Sequence, residues 1–263
     1  PARKHRAGFF VPETVTRQFD RTPEKVLSSF GENETVQTIF YTNQENLSQA
    51  FDLPRGMIAL VGGGGKTTLM LCLAHELVQT GARVIVTTTT HIFTPDGMRT
   101  QNPATPEEAK ALLEREPLIC FGKPSKEGKL SAPDLSMEAL AACADYVLIE
   151  ADGAKRLPLK APAEHEPVIP NESKLVIAVA GLDGIGKTIA ETAFRSDRYA
   201  ALCGKAETEQ ITAQDVALVL THPNGQRKNV PDDARFAVLL NKADDEVRRS
   251  AARALATELE QYR

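Results

Sequence analysis

An α/β fold, with a mostly parallel sheet between two layers of helices, is predicted by three features of this 263-residue chain. Short apolar, β-branched runs alternate with amphipathic helical stretches, the order that builds βαβ units. One run meets four glycines, Gly62, Gly63, Gly64 and Gly65, then Lys66, Thr67 and Thr68, and then a helical pattern. Another run, residues 146–149, ends in two carboxylates, Glu150 and Asp152. Ligands in open α/β sheets bind where such strands end.

The elements follow in order. Residues 1–45 are polar and irregular, broken by Thr-Pro, Gly-Glu-Asn and Thr-Asn-Gln clusters. They are expected to form an N-terminal appendage on a nucleotide-binding domain of residues 46–263, with 8–11 and 36–41 as strands or packing segments. Residues 46–51 suit a short helix, and 57–61 the first core strand. Residues 67–80 carry Leu69, Met70, Leu73, Leu77 and Val78 on one helical face, and Gly81 ends that helix. Residues 83–88 read as a buried parallel strand. Helices are expected over 106–116, with Thr105 as N-cap, and over 136–143, with Ser136 capping. Residues 118–121, 146–149, 175–180, 216–220 and 236–240 read as strands, and 245–262 as a closing amphipathic helix. Four prolines crowd residues 158–170, which suggests a boundary there.

Composition excludes several function classes. With 42% apolar and 25% charged residues, the chain is an ordinary globular one. A net charge of −4 offers no basic excess for nucleic acid or an anionic membrane. No apolar run is long enough to span a bilayer. The basic start lacks the apolar core of a signal peptide, so a cytoplasmic location is expected. An opening proline points to a shortened N-terminus. Cys72, Cys120, Cys143 and Cys203 are far apart and read as reduced thiols.

The glycine run reads as a phosphate-binding loop. Glycines allow positive φ, which aims successive N–H groups at one anion, and the following helix adds its dipole. Lys66 can reach the β/γ-phosphates and Thr67 can sit on Mg²⁺, so a nucleoside triphosphate, GTP or ATP, is the expected ligand. The architecture is then a three-layer P-loop NTPase-like fold. The loop departs from G-x-x-x-x-G-K-[ST], because Leu60 stands where a glycine is expected. Its shorter G-x-x-G-K-[ST] form resembles the loops of Mur ligases and folylpolyglutamate synthetases.

Around it, Glu150 and Asp152 have the Walker B layout, and either can hold Mg²⁺ while the other orients water. Thr89 or Thr90 can bind phosphate or Mg²⁺, and His91 can take part in chemistry. Asn241, Lys242 and Asp244 form N-K-x-D, which in GTPases reads guanine; alternatively Asp244 or Asp245 caps a helix. A second match, Gly181-Leu-Asp-Gly-Ile-Gly186-Lys187-Thr188, fits the strict pattern better. It follows the acidic strand, and Arg195 to Arg198 interrupt the helix after it, so it is set aside as a cradle. Lys155, Arg156, Lys160, His165 and Glu166 lie within one proline-stiffened loop, a candidate substrate or partner surface.

Several strings together resemble the YqeC family: Gly-Gly-Lys-Thr-Thr at 64–68, Thr-Thr-Thr-Thr-His-Ile at 87–92, Glu-Ala-Asp-Gly-Ala-Lys-Arg-Leu-Pro-Leu-Lys-Ala-Pro at 150–162, Glu-His-Glu-Pro-Val-Ile-Pro at 164–170 and Gly-Leu-Asp at 181–183. The resemblance runs from about residue 46 to the C-terminus. Thr188 departs from it, since the family has proline after that Gly-Lys. These are accessory proteins of selenium-dependent molybdenum hydroxylases. The resemblance implies a cytosolic nucleotide-binding protein that helps mature such enzymes, with a molybdenum hydroxylase or a selenium- or molybdopterin-handling protein as partner. The expected activity is Mg²⁺-dependent triphosphate hydrolysis, with Glu150, Asp152 and His91 as the catalytic candidates. The alternatives are an ATP-dependent transferase or ligase acting on a small molecule, and a non-catalytic, nucleotide-gated binding module.

Overall fold

The computed structural model describes residues 25–30, 36–41 and 46–261. Two strands come first, β1 (Lys25–Phe30) and β2 (Val36–Tyr41). The short helix α1 (Leu47–Ala50) leads to β3 (Gly56–Gly62), helix α2 (Lys66–Gln79) and β4 (Val84–Thr88). Next come β5 (His91–Phe93), β6 (Thr100–Gln101), α3 (Pro106–Arg115) and β7 (Leu118–Phe121). A small ladder of β8 (Lys123–Pro124) and β9 (Lys129–Ser131) with β5 precedes α4 (Met137–Ala141) and β10 (Tyr146–Glu150). The chain continues through β11 (Leu159–Lys160), β12 (Ser173–Gly181), α5 (Ile189–Thr192), β13 (Ala193–Phe194) and α6 (Ser196–Cys203). It closes with α7 (Ala213–Thr221), β14 (Arg235–Asn241) and α8 (Glu246–Leu259).

The main sheet has the order β2-β1-β14-β12-β3-β10-β4-β7-β6. From β14 to β6 every pairing is parallel, and β1 is antiparallel to both its neighbours. Strands β1 and β2 thus extend the same sheet, whereas residues 8–11 lie outside the described residues. Residues 158–170 are no boundary, because β12 after them pairs directly with β3 before them.

Period-two alternation assigns the faces. Ile58, Leu60, Val84, Val86 and Leu148 pack on α1 and α2. Ala59, Val61, Val176, Ala178 and Val238 face α6, α7 and α8, while Ile85, Val147 and Ile149 face α3 and α4. Helices therefore cover both faces, as the parallel part of a sheet requires. Helix α2 buries Leu69, Met70, Leu73, Ala74 and Leu77, each large side chain contributing roughly 1.5–3 kcal/mol.

One expectation is corrected. Residues 216–220 form the middle of α7, not a strand. A five-residue apolar run does not distinguish a buried strand from a buried helix. The deciding signal was the capping box upstream, in which Asp215 N–H donates to Thr212 Oγ1 and Thr212 N–H donates to the Asp215 carboxylate. Among the described residues no helix is long and apolar enough to cross a membrane, and no two cysteines are joined by a disulfide.

Candidate functional site

Parallel pairing brings the ends of β3, β10, β4, β12 and β14 to one edge, and the glycine loop lies there between β3 and α2. Gly62, Gly64 and Gly65 have φ of 91°, 78° and 130°. Close approach demands glycine as strongly as φ does. A Cβ on Gly62 would meet the Val179 carbonyl oxygen at 2.4 Å, and one on Gly64 would meet Gly181 N at 2.4 Å. One on Gly63 would meet the Leu157 carbonyl oxygen at 2.8 Å, and one on Gly65 the Asn241 amide nitrogen at 2.3 Å.

The loop N–H groups do not all converge on one anion, as the sequence suggested. Gly62 N–H donates to Asp152, Gly63 N–H to Val179 O at 2.9 Å and Gly64 N–H to Leu157 O at 3.0 Å. These glycines let a backbone strap at residues 157–158 and the end of β12 seat against the loop. What is left to face an anion is the first turn of α2. That helix is 14 residues long, is capped by no side chain at Gly65 and has no acid in its first turn. Its leading amides have no partner within the helix and lie at the positive end of its dipole.

The charged side chains form a chain of alternating sign. Lys66 is 4% exposed, donates to Gly62 O and lies 3.2 Å from Asp152 and 3.9 Å from Glu150. Asp152 is fully buried and also lies 3.0 Å from Lys160. Lys160, likewise buried, reaches Glu166 at 2.8 Å and Gly153 O at 2.6 Å. Arg195 completes the chain at 2.9 Å from Glu166. Three cations thus meet three carboxylates, which is how buried ions avoid an uncompensated desolvation cost of several kcal/mol each.

The titration behaviour follows these positions. Burial pulls Lys66 down, but Asp152 and then Glu150 outweigh it and raise its pKa above the usual lysine value. Burial pushes Glu150 up, against the pull of Lys66 and the Thr67 hydroxyl. Lys66 is closer to Asp152, so Glu150 receives the smaller share of its charge. Burial also pushes Glu166 up, but Arg195 and Lys160 prevail and bring it down to about 2.

Of the two strand-end acids, Glu150 accepts a hydrogen bond from Thr67 Oγ1 at 2.7 Å. Asp152 is committed to two lysines and an amide. In the structure it is the counter-ion of Lys66 and Lys160. Of the proline-stiffened loop, Lys160 and Glu166 are buried, whereas Lys155 and His165 are exposed. Thr68 is half-buried in the first turn of α2.

The threonines at the end of β4 mostly serve backbone. Thr88 Oγ1 donates to Glu150 O at 2.8 Å, Thr89 Oγ1 to Val168 O at 2.6 Å, and Thr90 N–H donates to Thr88 Oγ1. His91 is exposed and opens β5. Asn241 donates from Nδ2 to Gly64 O at 2.8 Å and so braces the glycine loop. Lys242, at φ 66°, pairs with Asp183 at 2.7 Å. Asp244 pairs with Arg248 at 3.1 Å, and Asp245 is the N-cap of α8.

Sequence reasoning missed Arg195, the strap at 157–158 and the braces behind it. Gln226 donates to Lys160 O, Lys228 to Ala163 O and Asn229 to Pro167 O. These residues lie about sixty positions from what they hold, and no local pattern announces such contacts. The second Gly-Lys-Thr segment forms no cradle. It turns through Leu182–Gly184, Lys187 is exposed and α5 is four residues long.

Among the described residues no cluster of three or more His, Cys, Asp or Glu could hold a metal by itself. Thr67 with Glu150 still fits an ion that takes one or two protein ligands and draws the rest from phosphate and water, as Mg²⁺ does.

A family model described as YqeC protein matches residues 58–197. That span contains the glycine loop, Lys66 and the five charged groups Glu150, Asp152, Lys160, Glu166 and Arg195, and ends before Asn241. A protein of Escherichia coli (strain K12), named Uncharacterized protein YqeC, is 36% identical over 197 residues, which cover 71% of this chain and 75% of the relative. No solved structure matches.

Proposed function

The chain belongs to the YqeC family, and we propose that it binds and hydrolyses a Mg²⁺–nucleoside triphosphate in the service of molybdenum hydroxylase maturation. One juxtaposition supports the nucleotide half. Thr67 Oγ1 and Glu150 Oε2 are 2.7 Å apart beside buried Lys66, at the uncapped start of a 14-residue helix. The α2 amides and Lys66 would take phosphate oxygens. Thr67 and Glu150 would hold Mg²⁺, which when bound neutralises charge on the β- and γ-phosphates. Asp152 keeps Lys66 charged and placed. Burial disfavours the ionised form of Glu150, so an arriving cation and loss of its proton favour each other. Catalysis in such a site is positioning and charge stabilisation.

GTP is the base reading that N-K-x-D supports, and Asn241 already ties that segment to the loop; ATP is the alternative. The maturation role comes from the family resemblance. It implies a cytoplasmic partner, either a molybdenum hydroxylase or a protein that handles selenium or molybdopterin, and hydrolysis would gate delivery to it.

Calorimetric titration with Mg²⁺–GTP and Mg²⁺–ATP tests the proposal. Micromolar binding of either, lost in Lys66→Ala, is expected; no binding of either overturns it. Product formation only with a second small molecule would favour the transferase alternative. Stoichiometric binding without turnover would favour the nucleotide-gated module.

A further inference from the structure

Directly after the acidic strand the chain reverses over residues 154–157, where Leu157 N–H donates to Ala154 O at 2.9 Å. The two central residues, Lys155 and Arg156, have φ of 46° and 64°. Positive φ at both centres is the turn that Asn-Gly serves best, and long side chains occupy it under strain. Turn chemistry therefore gives no reason for Lys-Arg. Both side chains are exposed, and among the described residues neither pairs with a carboxylate.

Each lies over an aromatic ring instead. Lys155 Nζ is 5.2 Å from the Phe194 centroid, and the Arg156 guanidinium is 5.0 Å from that of Phe93. Phe93 is 50% exposed, and Lys129 approaches the same ring at 5.2 Å. An arginine stacked on a ring keeps its planar donors free for a bidentate anion. The turn adjoins the glycine loop, since the next residue's carbonyl accepts from Gly64 N–H at 3.0 Å.

We propose that Lys155 and Arg156, with the exposed ring of Phe93, form a second anion subsite beside the glycine loop, which takes the phosphate of a small organic co-substrate with a flat, unsaturated body. Two cations that no carboxylate among the described residues meets call for an anion, and the half-exposed ring calls for a planar apolar part, which a bare phosphate lacks. The nucleotide's phosphates already have Lys66 and the start of α2. The co-substrate role rests on the nucleotide reading; the subsite itself does not.

The test is titration of phenyl phosphate into the protein and into a Lys155→Asn/Arg156→Gly double variant, with Mg²⁺–GTP and Mg²⁺–ATP titrated in parallel. The variant keeps the turn in residues that suit it, so its thermal midpoint should not fall. Phenyl phosphate affinity should drop about tenfold or more, the worth of a charge-assisted hydrogen bond, while nucleotide affinity stays unchanged. Equal phenyl phosphate binding by both proteins, or none by the parent, overturns the subsite. A tenfold loss of nucleotide affinity in the variant assigns the cations to the nucleotide and also overturns it. If the parent binds no nucleotide but its phenyl phosphate binding is lost in the variant, the subsite stands and the nucleotide reading falls.

Discussion

Residues 62–67 and residues 181–188 both read as glycine-rich segments ending in Gly-Lys-Thr after an apolar strand, and the chain folds them into opposite things. The first opens a 14-residue helix whose N-terminus no side chain caps, with its lysine buried against Asp152 and Glu150. The second opens a four-residue helix whose N-terminus is closed, since the N–H and hydroxyl of Thr188 both donate to Glu191. Its lysine points to solvent. By pattern the second segment is the better phosphate loop. What separates them is outside the pattern: the length of the next helix, and an acid from a neighbouring strand that gives the lysine a reason to be buried.

The strongest way to break that contrast is to exchange lysines for alanine. Lys66→Ala leaves Asp152 and Glu150 buried with a lost partner, so about 3–5 kcal/mol of stability should go, together with nucleotide affinity. Lys187→Ala should stay within about 0.5 kcal/mol of the parent and bind nucleotide unchanged. Urea titration and calorimetry on both proteins check this; a comparable loss in the second variant would erase the distinction.

The glycines sharpen it. Gly64→Ala combines φ 78° with a Cβ 2.4 Å from Gly181 N, which should cost about 3 kcal/mol or more. Gly186→Ala has φ 82° but open space, so only backbone strain remains, about 1 kcal/mol. Equal thermal midpoints for the two variants would show that the strap does not press on the first loop.

Acid titration separates Glu166 from Glu191. Glu166 is held at about 2 in the fold against an ordinary value of 4.5. Between those values the unfolded chain binds more protons than the folded one. Its contribution is therefore full above pH 4.5 and is lost as pH falls toward 2. Glu166→Gln should flatten that acid limb of stability, measured as urea midpoints across the range. Glu191, which is lowered by Thr188 but solvent-exposed, should leave the limb nearly unchanged when made Gln.

The smallest effect is expected for Thr188→Ala. It removes half a capping box from a short helix, about 0.5–1 kcal/mol, with no change in nucleotide affinity. A loss of affinity there would return the second segment to the site.

Much of the framework was legible. Strands at β3, β4, β7, β10, β12 and β14 and helix α2 announced themselves through β-branched runs and a 3.6-residue face. The resemblance to the YqeC family also rested on local strings. Helix α7 was misread because Val216 to Leu220 is apolar throughout, and only the Thr212–Asp215 box marks it as helical. Within the candidate site, Lys66 and Glu150 stand out by pattern, but the division of labour between Glu150 and Asp152 does not. Two acids at one strand end look alike until Lys160 arrives from ten residues on and claims one of them.

By itself the sequence determined the parallel sheet, the glycine loop and the acids at its edge, because periodicity, glycine content and strand ends are local properties of the chain. Only the tertiary structure decided which Gly-Lys-Thr heads a long uncapped helix beside a buried acid, which carboxylate stays with the lysines, and that Arg195 and residues 226–229 hold the strap in place. Those outcomes depend on compensating buried charge and satisfying backbone groups, and the groups that do so come from strands and loops far apart in the chain.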